Sequence, residues 1–383
     1  MRRKLYGRIM ERVEGPEAVV VTGMRRVGKT TLLKQVYDSI PSGNKIFLDL
    51  ENPVNQKYFE EENYEAIRYQ FEVLGISRSE RAYIFLDEIQ FVKNAPSVVK
   101  YLLDHYQFKF FLTGSSSFYL KNLFSESLAG RKIIYELSPL DFEEFLELKG
   151  AGLVRGGGKV TEAIYELFSP WYREYVEFGG FPGVVTKTAV EEKKEGLDDI
   201  FTAYFNKEVL GIGGFRNNQT VRDLILLLAA RVGSRVEVAK LAAELGVTRV
   251  SVNDYLAFLE GTYFISLIGR YSTDRDVEAR GAKKVYLCDS GLVNHLTRAD
   301  WGKVFENAVY NQLRTRGEVK YYQRKSGAEI DFVVDGSAFE VKMNGDDRDR
   351  RKLEERAGEL KLGERSLVSF EFTKAMAKYG FEL

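Results

Sequence analysis

Residues 23 to 30 read Gly23-Met24-Arg25-Arg26-Val27-Gly28-Lys29-Thr30, with glycine first and sixth and Lys-Thr at the end. An apolar β-branched run, Ala18 to Thr22, precedes this stretch, and a helical pattern over 29 to 40 follows it. A buried strand that turns into a helix through such a loop gathers backbone N–H groups at the helix N-terminus, where anions bind. The glycines let the backbone curl around phosphates. Lys29 brings a point charge to the terminal phosphates, and Thr30 places a hydroxyl on Mg²⁺. The pattern therefore demands a parallel sheet with helices on it, and it implies a bound nucleoside triphosphate, ATP, together with Mg²⁺. The expected nucleotide contacts are Gly23, Arg26, Val27, Gly28, Lys29, Thr30 and Thr31. Arg25 and Arg26 can also steer phosphate or meet a neighbouring subunit.

The first ~150 residues alternate strand and helix as a parallel sheet requires. Strands are expected at Ala18 to Thr22, Lys45 to Leu50, Ala82 to Asp87, Phe108 to Thr113 and Lys132 to Leu137, with helices at 29 to 40, 64 to 74 and 97 to 105. Gly152 and Gly156-Gly157-Gly158 mark a boundary. Four domains follow from this reading: an ATPase core over 1–150, a helical lid or linker over 151–216, a winged helix over 217–280, and a small α/β domain over 281–383.

Tyr83-Ile84-Phe85-Leu86 runs into Asp87-Glu88. Asp87 at the strand end would hold Mg²⁺ through water, and Glu88 would orient and deprotonate the attacking water. A solvated acidic pair closing a strand is the plainer alternative. The fourth strand ends Thr113-Gly114-Ser115-Ser116, and Ser115 is a candidate to touch the γ-phosphate, although turn chemistry alone also accounts for it. Arg131, just before the fifth strand, is placed to reach a γ-phosphate in cis, to reach one in trans across a subunit contact, or merely to form a salt bridge.

Glu237 to Leu245, a Gly246-Val247 turn and Thr248 to Leu259 read as helix-turn-helix, and the strand from Tyr263 to Ile268 would form a wing. Thr248, Arg249, Ser251 and Asn253 lie on the exposed face of the second helix, where DNA contact is one use and packing or assembly another. Residues 231 to 284 hold nine Lys/Arg and seven Asp/Glu, so the charge argument for DNA is weak there.

Near the C-terminus, Glu329-Ile330-Asp331-Phe332-Val333-Val334 and Ser337-Ala338-Phe339-Glu340-Val341-Lys342 flank Asp335-Gly336, a strong hairpin signal. With Asp335-Gly336 as the loop, Val334 faces Ser337, Phe332 faces Phe339, Asp331 faces Glu340 and Glu329 faces Lys342. One face is expected to be apolar (Ile330, Phe332, Val334, Phe339, Val341) and the other charged. Like charges opposite one another destabilise a hairpin, so Asp331 and Glu340 suggest a shared divalent cation. Lys342 on the same face suits metal-assisted phosphodiester cleavage, and Glu306 on a helix over 302 to 312 would add a third carboxylate. Residues 313 to 325 carry a net charge of +4 with Tyr321 and Tyr322 interleaved. A hairpin with a solvated charged face, including a Glu329–Lys342 pair, is the competing reading.

Lys plus Arg and Asp plus Glu both number 56, so any nucleic-acid site must be local. A single cysteine, Cys288, excludes an internal disulfide and fits a reducing cytoplasm; two distant histidines leave no zinc site. The N-terminus lacks the apolar core of a signal peptide, and no run approaches the ~20 apolar residues that span a bilayer. A cytoplasmic protein with no membrane partner is the expectation.

These motifs together resemble the archaeal and bacterial AAA+ ATPases that carry a C-terminal DUF4143 domain. The resemblance rests on the loop from Gly23 through Leu33, on Leu86-Asp87-Glu88-Ile89-Gln90, on Leu112-Thr113-Gly114-Ser115-Ser116-Ser117, on Ala129-Gly130-Arg131, on Phe178-Gly179-Gly180-Phe181-Pro182 and on Phe305-Glu306-Asn307. Asp331 with Glu340-Val341-Lys342 looks like the signature of the PD-(D/E)xK nuclease fold. That resemblance implies Asp331 and Glu340 as metal ligands and Lys342 as the catalytic lysine. Ile330 stands where the signature carries proline, and no second-sensor arginine is found in the lid.

The leading expectation is an ATP-hydrolysing protein that acts on DNA through a winged helix and a nuclease-like domain, with homo-oligomerisation possible. The rival is an ATP-driven switch or scaffold whose C-terminal domain is inactive. A small-molecule kinase fits poorly, since the segments after the sheet offer no acceptor pocket.

Overall fold

The computed structural model describes residues 1–114, 128, 130–272, 274, 278, 281–297, 299–324 and 327–383. Its contacts divide the chain into two compact units, the first 1–138 with 261–263 and the second 139–260 with 264–383.

The first unit is built on five strands, β1 (Ala18–Thr22), β2 (Lys45–Asp49), β3 (Ala82–Asp87), β4 (Phe108–Gly114) and β5 (Lys132–Glu136), in the order β2-β3-β4-β1-β5. Every pairing is parallel. All residues of β1 and β3 are buried, which explains their unbroken apolar runs: a parallel strand covered on both faces has no solvent side to pattern. Helices Tyr64–Val73 and Ala95–His105 bury their apolar residues with those of the strands in one core, and helix Lys29–Ser39 buries Leu32, Leu33 and Val36. Because β1 lies between β4 and β5, the loop after Thr22 opens where the strand order reverses, at the carboxyl ends of the strands. Asp87 and Gly114 end β3 and β4 at that same edge.

The second unit begins with helix Phe142–Lys149, set by an Asp141/Glu144 capping box. Helices Glu162–Phe178 and Val190–Tyr204 follow, then Asn218–Ala230, Val238–Leu245 and Arg249–Gly261. Strands β6 (Ile265–Ile268) and β7 (Lys284–Leu287) pair antiparallel. After helices Ser290–Leu296 and Trp301–Leu313 comes a mixed sheet of β8 (Lys320–Gln323), β9 (Glu329–Val334), β10 (Ser337–Lys342), β11 (Arg365–Ser369) and β12 (Lys378–Tyr379), in the order β12-β11-β10-β9-β8. Helix Asp347–Glu359 lies between β10 and β11 in the chain.

By their contacts, three of the four expected segments fall within one unit, which begins at Pro139. Shared burial explains this. Tyr172, on helix Glu162–Phe178, meets the rings of Phe305, Phe370 and Phe381, and its hydroxyl accepts from Gln312 Nε2 at 3.0 Å. The Phe178-Gly179-Gly180 motif is a second tie: Gly180 N donates to the buried Asp289 carboxylate at 2.7 Å. A Cβ at Gly179, whose φ is +76°, would fall 1.8 Å from Asp289 Oδ1, so only glycine fits.

The C-terminal hairpin forms with the expected turn, Asp335 (φ 47°) and Gly336 (φ 69°) both left-handed, and with Val334 opposite Ser337 and Phe332 opposite Phe339. Two expectations fail beyond that point. The regular ladder ends at Phe332–Phe339, and the pairing of β8 with β9 shifts register in the same region. Ile330 and Val333, three residues apart, pack in one cluster with Ala338, Leu353 and Ala357, which strict alternation forbids. The strand is therefore irregular at Asp331. Nor is one face solvated: Phe332 meets the rings of Tyr286 and Tyr310 on one side, and helix Asp347–Glu359 covers the other.

Candidate functional site

The phosphate loop is held from outside as well as by its own sequence. Arg3 donates from Nη1 to Val27 O (2.9 Å) and from Nη2 to Ser138 O (2.8 Å), tying the loop to the strand-edge backbone. Gly23 lies at φ 138°, and a Cβ there would come 2.2 Å from Leu137 O. Gly28 is left-handed at the start of helix Lys29–Ser39, as is Arg26 (φ 68°), a conformation that only a constrained loop sustains in a residue with a Cβ. Lys29 is buried, and its Nζ donates to Gly23 O at 2.9 Å and Met24 O at 3.0 Å. Thr31, the next residue of the helix, is exposed.

Thr30 Oγ1 donates to Asp87 Oδ2 at 2.7 Å, and Thr113 Oγ1 donates to Asp87 Oδ1. The same Thr113 hydroxyl accepts from Glu88 N at 2.9 Å. Asp49 stands in register beside Asp87 on β2. Burial pushes the Asp87 carboxyl above its ordinary range, and the two threonine hydroxyls offset only part of this. A buried carboxylate, a second acid and two hydroxyls form a hard-oxygen donor set that suits Mg²⁺. Glu88 sits in the left-handed region (φ 56°), and Gln90 Nε2 donates to its carboxylate.

Two expected residues fare differently. Ser115 lies outside the described residues. Arg131 precedes β5, whose first residue Lys132 pairs with Ala18 at the start of β1. It therefore sits at the sheet edge opposite the phosphate loop, roughly 15 Å away for five residues of strand. Contact with the γ-phosphate in cis is excluded; its Nε pairs with Asp104 Oδ1 at 2.6 Å.

In the second unit, Glu306, Asp331, Glu340 and Lys342 do come together, on helix Trp301–Leu313, β9 and β10. Val341 N donates to Asp331 Oδ2 at 2.8 Å, and Lys342 Nζ donates to Glu340 Oε1 at 2.8 Å. Glu340 is 8% exposed, and its Oε2 has no hydrogen-bond partner among the described residues. Burial, then the Asp331 charge, push both Glu340 and Glu306 up to about 7. Burial acts to lower Lys342, but Asp331 and Glu340 outweigh it and raise its ammonium.

Sequence reading did not foresee who else faces these carboxylates. Glu329 pairs with the buried Lys284 of β7, not with Lys342. Tyr286 Oη donates to Glu306 Oε1 at 2.5 Å. Arg356 Nη1 donates to Glu329 O at 2.5 Å, and its charge reaches Glu340. The available signal was Lys284-Val285-Tyr286-Leu287, in which two polar groups alternate with apolar ones at strand spacing. Among the described residues, no group of three or more His, Cys, Asp or Glu is arranged to hold a metal ion. The buried, partnerless Glu340 oxygen beside Asp331 still fits a cation shared by two carboxylates.

On helix Arg249–Gly261, Arg249, Val250 and Asn253 are exposed, whereas Thr248 and Ser251 are bonded to each other at the helix start. No helix among the described residues is long and apolar enough to cross a membrane.

Comparison with known proteins divides the chain into three matched segments. A family model for an AAA domain matches residues 15–146, a domain of unknown function (DUF8612) matches 169–303, and a domain of unknown function (DUF4143) matches 301–379. Uncharacterized protein MJ1544 of Methanocaldococcus jannaschii is 28% identical over 361 residues, covering 90% of this chain and 79% of the relative. Uncharacterized protein MJ1637 of the same organism is 30% identical over 355 residues, covering 83% and 72%. Among solved structures, the Aeropyrum pernix ORC1 protein in complex with DNA is similar with a TM-score of 0.32 and 12% identity, over 82% of this chain and 94% of that one. The Aeropyrum pernix ORC2 protein in its ADP form is similar with a TM-score of 0.35 and 13% identity, over 74% and 87%.

Proposed function

The chain belongs to the family of MJ1637 and carries an AAA-type P-loop ATPase domain, and from that premise we propose that it hydrolyses ATP and couples the hydrolysis to DNA processing in its second unit. The observation that carries the reading is the presence in one chain of two polar groups built on buried or half-buried carboxylates. One is the Thr30–Asp87–Thr113 group at the phosphate loop, and the other is the Asp331–Glu340–Lys342 group on the hairpin.

At the first cluster, backbone N–H groups of the loop and the Lys29 ammonium hold the phosphates. Thr30 and Asp87 would hold Mg²⁺, which supplies charge neutralisation at the β- and γ-phosphates. Glu88, fixed by Thr113 and Gln90, takes the proton of the attacking water. Arg131 is paired with Asp104 at the other edge of the sheet, so a role as an arginine finger would require a neighbouring copy.

At the second cluster, Asp331 and Glu340, with Glu306 behind them, would hold a divalent cation that activates water for phosphodiester cleavage. Lys342 stabilises the negative charge that develops on the phosphate. The three helices from Asn218 to Gly261 and the β6–β7 pair serve as a winged helix, with Arg249 and Asn253 toward DNA.

ATP turnover with and without single-stranded, duplex and branched DNA tests the coupling, and DNA stimulation is expected. Incubation of the protein with Mn²⁺ and DNA tests the nuclease; equal results for the parent and Asp331→Ala would refute it. A switch or scaffold with an inactive second cluster is the second reading. The lack of a three-carboxylate metal group among the described residues favours it.

A further inference from the structure

We propose that Lys284 is the built-in counter-cation of the C-terminal carboxylate cluster, a positioning residue that gathers Glu306, Glu329 and Asp331 from outside the hairpin. The proposal rests on the reading above only in treating the cluster as a functional site; the charge compensation itself needs no metal.

Lys284 opens β7 and is 5% exposed. An ammonium so buried is stable only when compensated. Its Nζ pairs with Glu329 Oε1, and it lies in the field of Glu306 and Asp331 as well. Burial acts to lower its affinity for a proton, yet those three carboxylates reverse the balance. The Tyr321 ring closes another side, 5.2 Å from Nζ. Strand alternation puts Tyr286 on the same face as Lys284, and Tyr286 binds Glu306. One short strand thus supplies both the cation and the hydroxyl that hold the cluster's outer carboxylates. Lys342 cannot do this, since it is committed to Glu340 on its own strand.

Two consequences follow. Without Lys284, the cluster holds unpaired buried negative charge, and removing one carboxylate should relieve it. A divalent cation should relieve it too, by taking the role of the lost ammonium. The test uses the full chain as parent, Lys284→Met, Lys284→Arg, Glu306→Gln and the Lys284→Met/Glu306→Gln double variant, melted with a chelator at about pH 8, where carboxylates are ionised. Lys284→Met should melt several degrees lower, Lys284→Arg should recover most of the loss, and the double variant should melt above Lys284→Met. If Lys284→Met does not fold, a double variant that folds supports the proposal and one that does not fold overturns it. Additive losses in the double variant also overturn it.

Calorimetric titration with Mn²⁺ gives the second readout. Lys284→Met should bind Mn²⁺ roughly tenfold tighter than the parent, the direction a purely structural lysine would not produce. Where the parent binds Mn²⁺ measurably, unchanged or weaker binding by Lys284→Met overturns the proposal. A parent and variants that all bind no Mn²⁺ would remove the metal-site reading, and the melting comparison alone would then decide the role of Lys284.

Discussion

Thr30 and Asp87 are joined by a 2.7 Å hydrogen bond that links the end of the phosphate loop to the end of β3. Thr113 holds the other oxygen of the same carboxylate. The acid is thereby held toward the loop, a preorganisation that would remove reorganisation from the proposed ATP hydrolysis.

Lys29→Ala and Thr30→Ala are expected to lower ATP turnover by about 10²-fold or more. The first loses the phosphate charge, and the second frees Asp87 to turn away. Steady-state phosphate release measures both, and a turnover equal to that of the parent in Lys29→Ala would remove the ATPase assignment.

Glu88→Gln separates binding from hydrolysis. Its backbone N–H bond to Thr113 is independent of the side chain, so the site should keep its shape and bind ATP as the parent does. Loss of the base should cost roughly 10²-fold in turnover. Nucleotide affinity by calorimetry, set beside turnover, checks the split; a parallel loss in both would point to a structural role instead.

Gly23→Ala should destabilise the first unit. The methyl would press on Leu137 O from 2.2 Å, at a φ of 138° that side chains avoid. A cost of about 1–3 kcal/mol is expected from the backbone alone. Gly43→Ala, with nothing within 4 Å of the new atom, is the matched control. Thermal melting of the two variants decides, and equal melting temperatures would contradict the close approach.

The pH dependence of stability should carry the mark of Glu306 and Glu340, both pushed up to about 7 by burial first and then by Asp331. Each binds its proton more tightly folded than unfolded. Their contribution to stability is therefore complete below the ordinary glutamate value of 4.5 and is lost as the pH climbs through 7. Glu340→Gln should outlast the parent by several degrees at about pH 8, and that advantage should disappear near pH 4. An advantage that does not change with pH would show that Glu340 is not held protonated.

The sheet of the first unit was legible because each strand is an apolar run closed by a chemically marked end. Asp87 and the Gly23–Thr30 loop identify two strand ends by themselves, and the structure puts both at one edge. For Arg131 the salt-bridge alternative is the one the structure contains, and the cis reach was not legible because its place in the motif order says nothing about which edge of the sheet it occupies; the β1–β5 register decides that. The hairpin turn was readable from Asp335-Gly336, but the irregularity at Asp331 was not, since it depends on β8 and on helix Asp347–Glu359. Lys284 was invisible for a similar reason. It lies 45 residues before its partner Glu329 in the chain, and no local pattern connects the two.

Both sides of the C-terminal hairpin are covered by protein, so its hydrophobic residues do not by themselves choose between one strand alignment and the next. A slip by a single residue would leave apolar groups buried on either side while exchanging Asp331 for Phe332 against the lysines. What prevents this is the tight Asp335-Gly336 corner, with its two left-handed residues. The corner is four residues from the acid, yet it sets which side chains of the two strands face one another. A turn sequence that relaxed it is expected to leave a folded protein in which Asp331 no longer meets Val341 N.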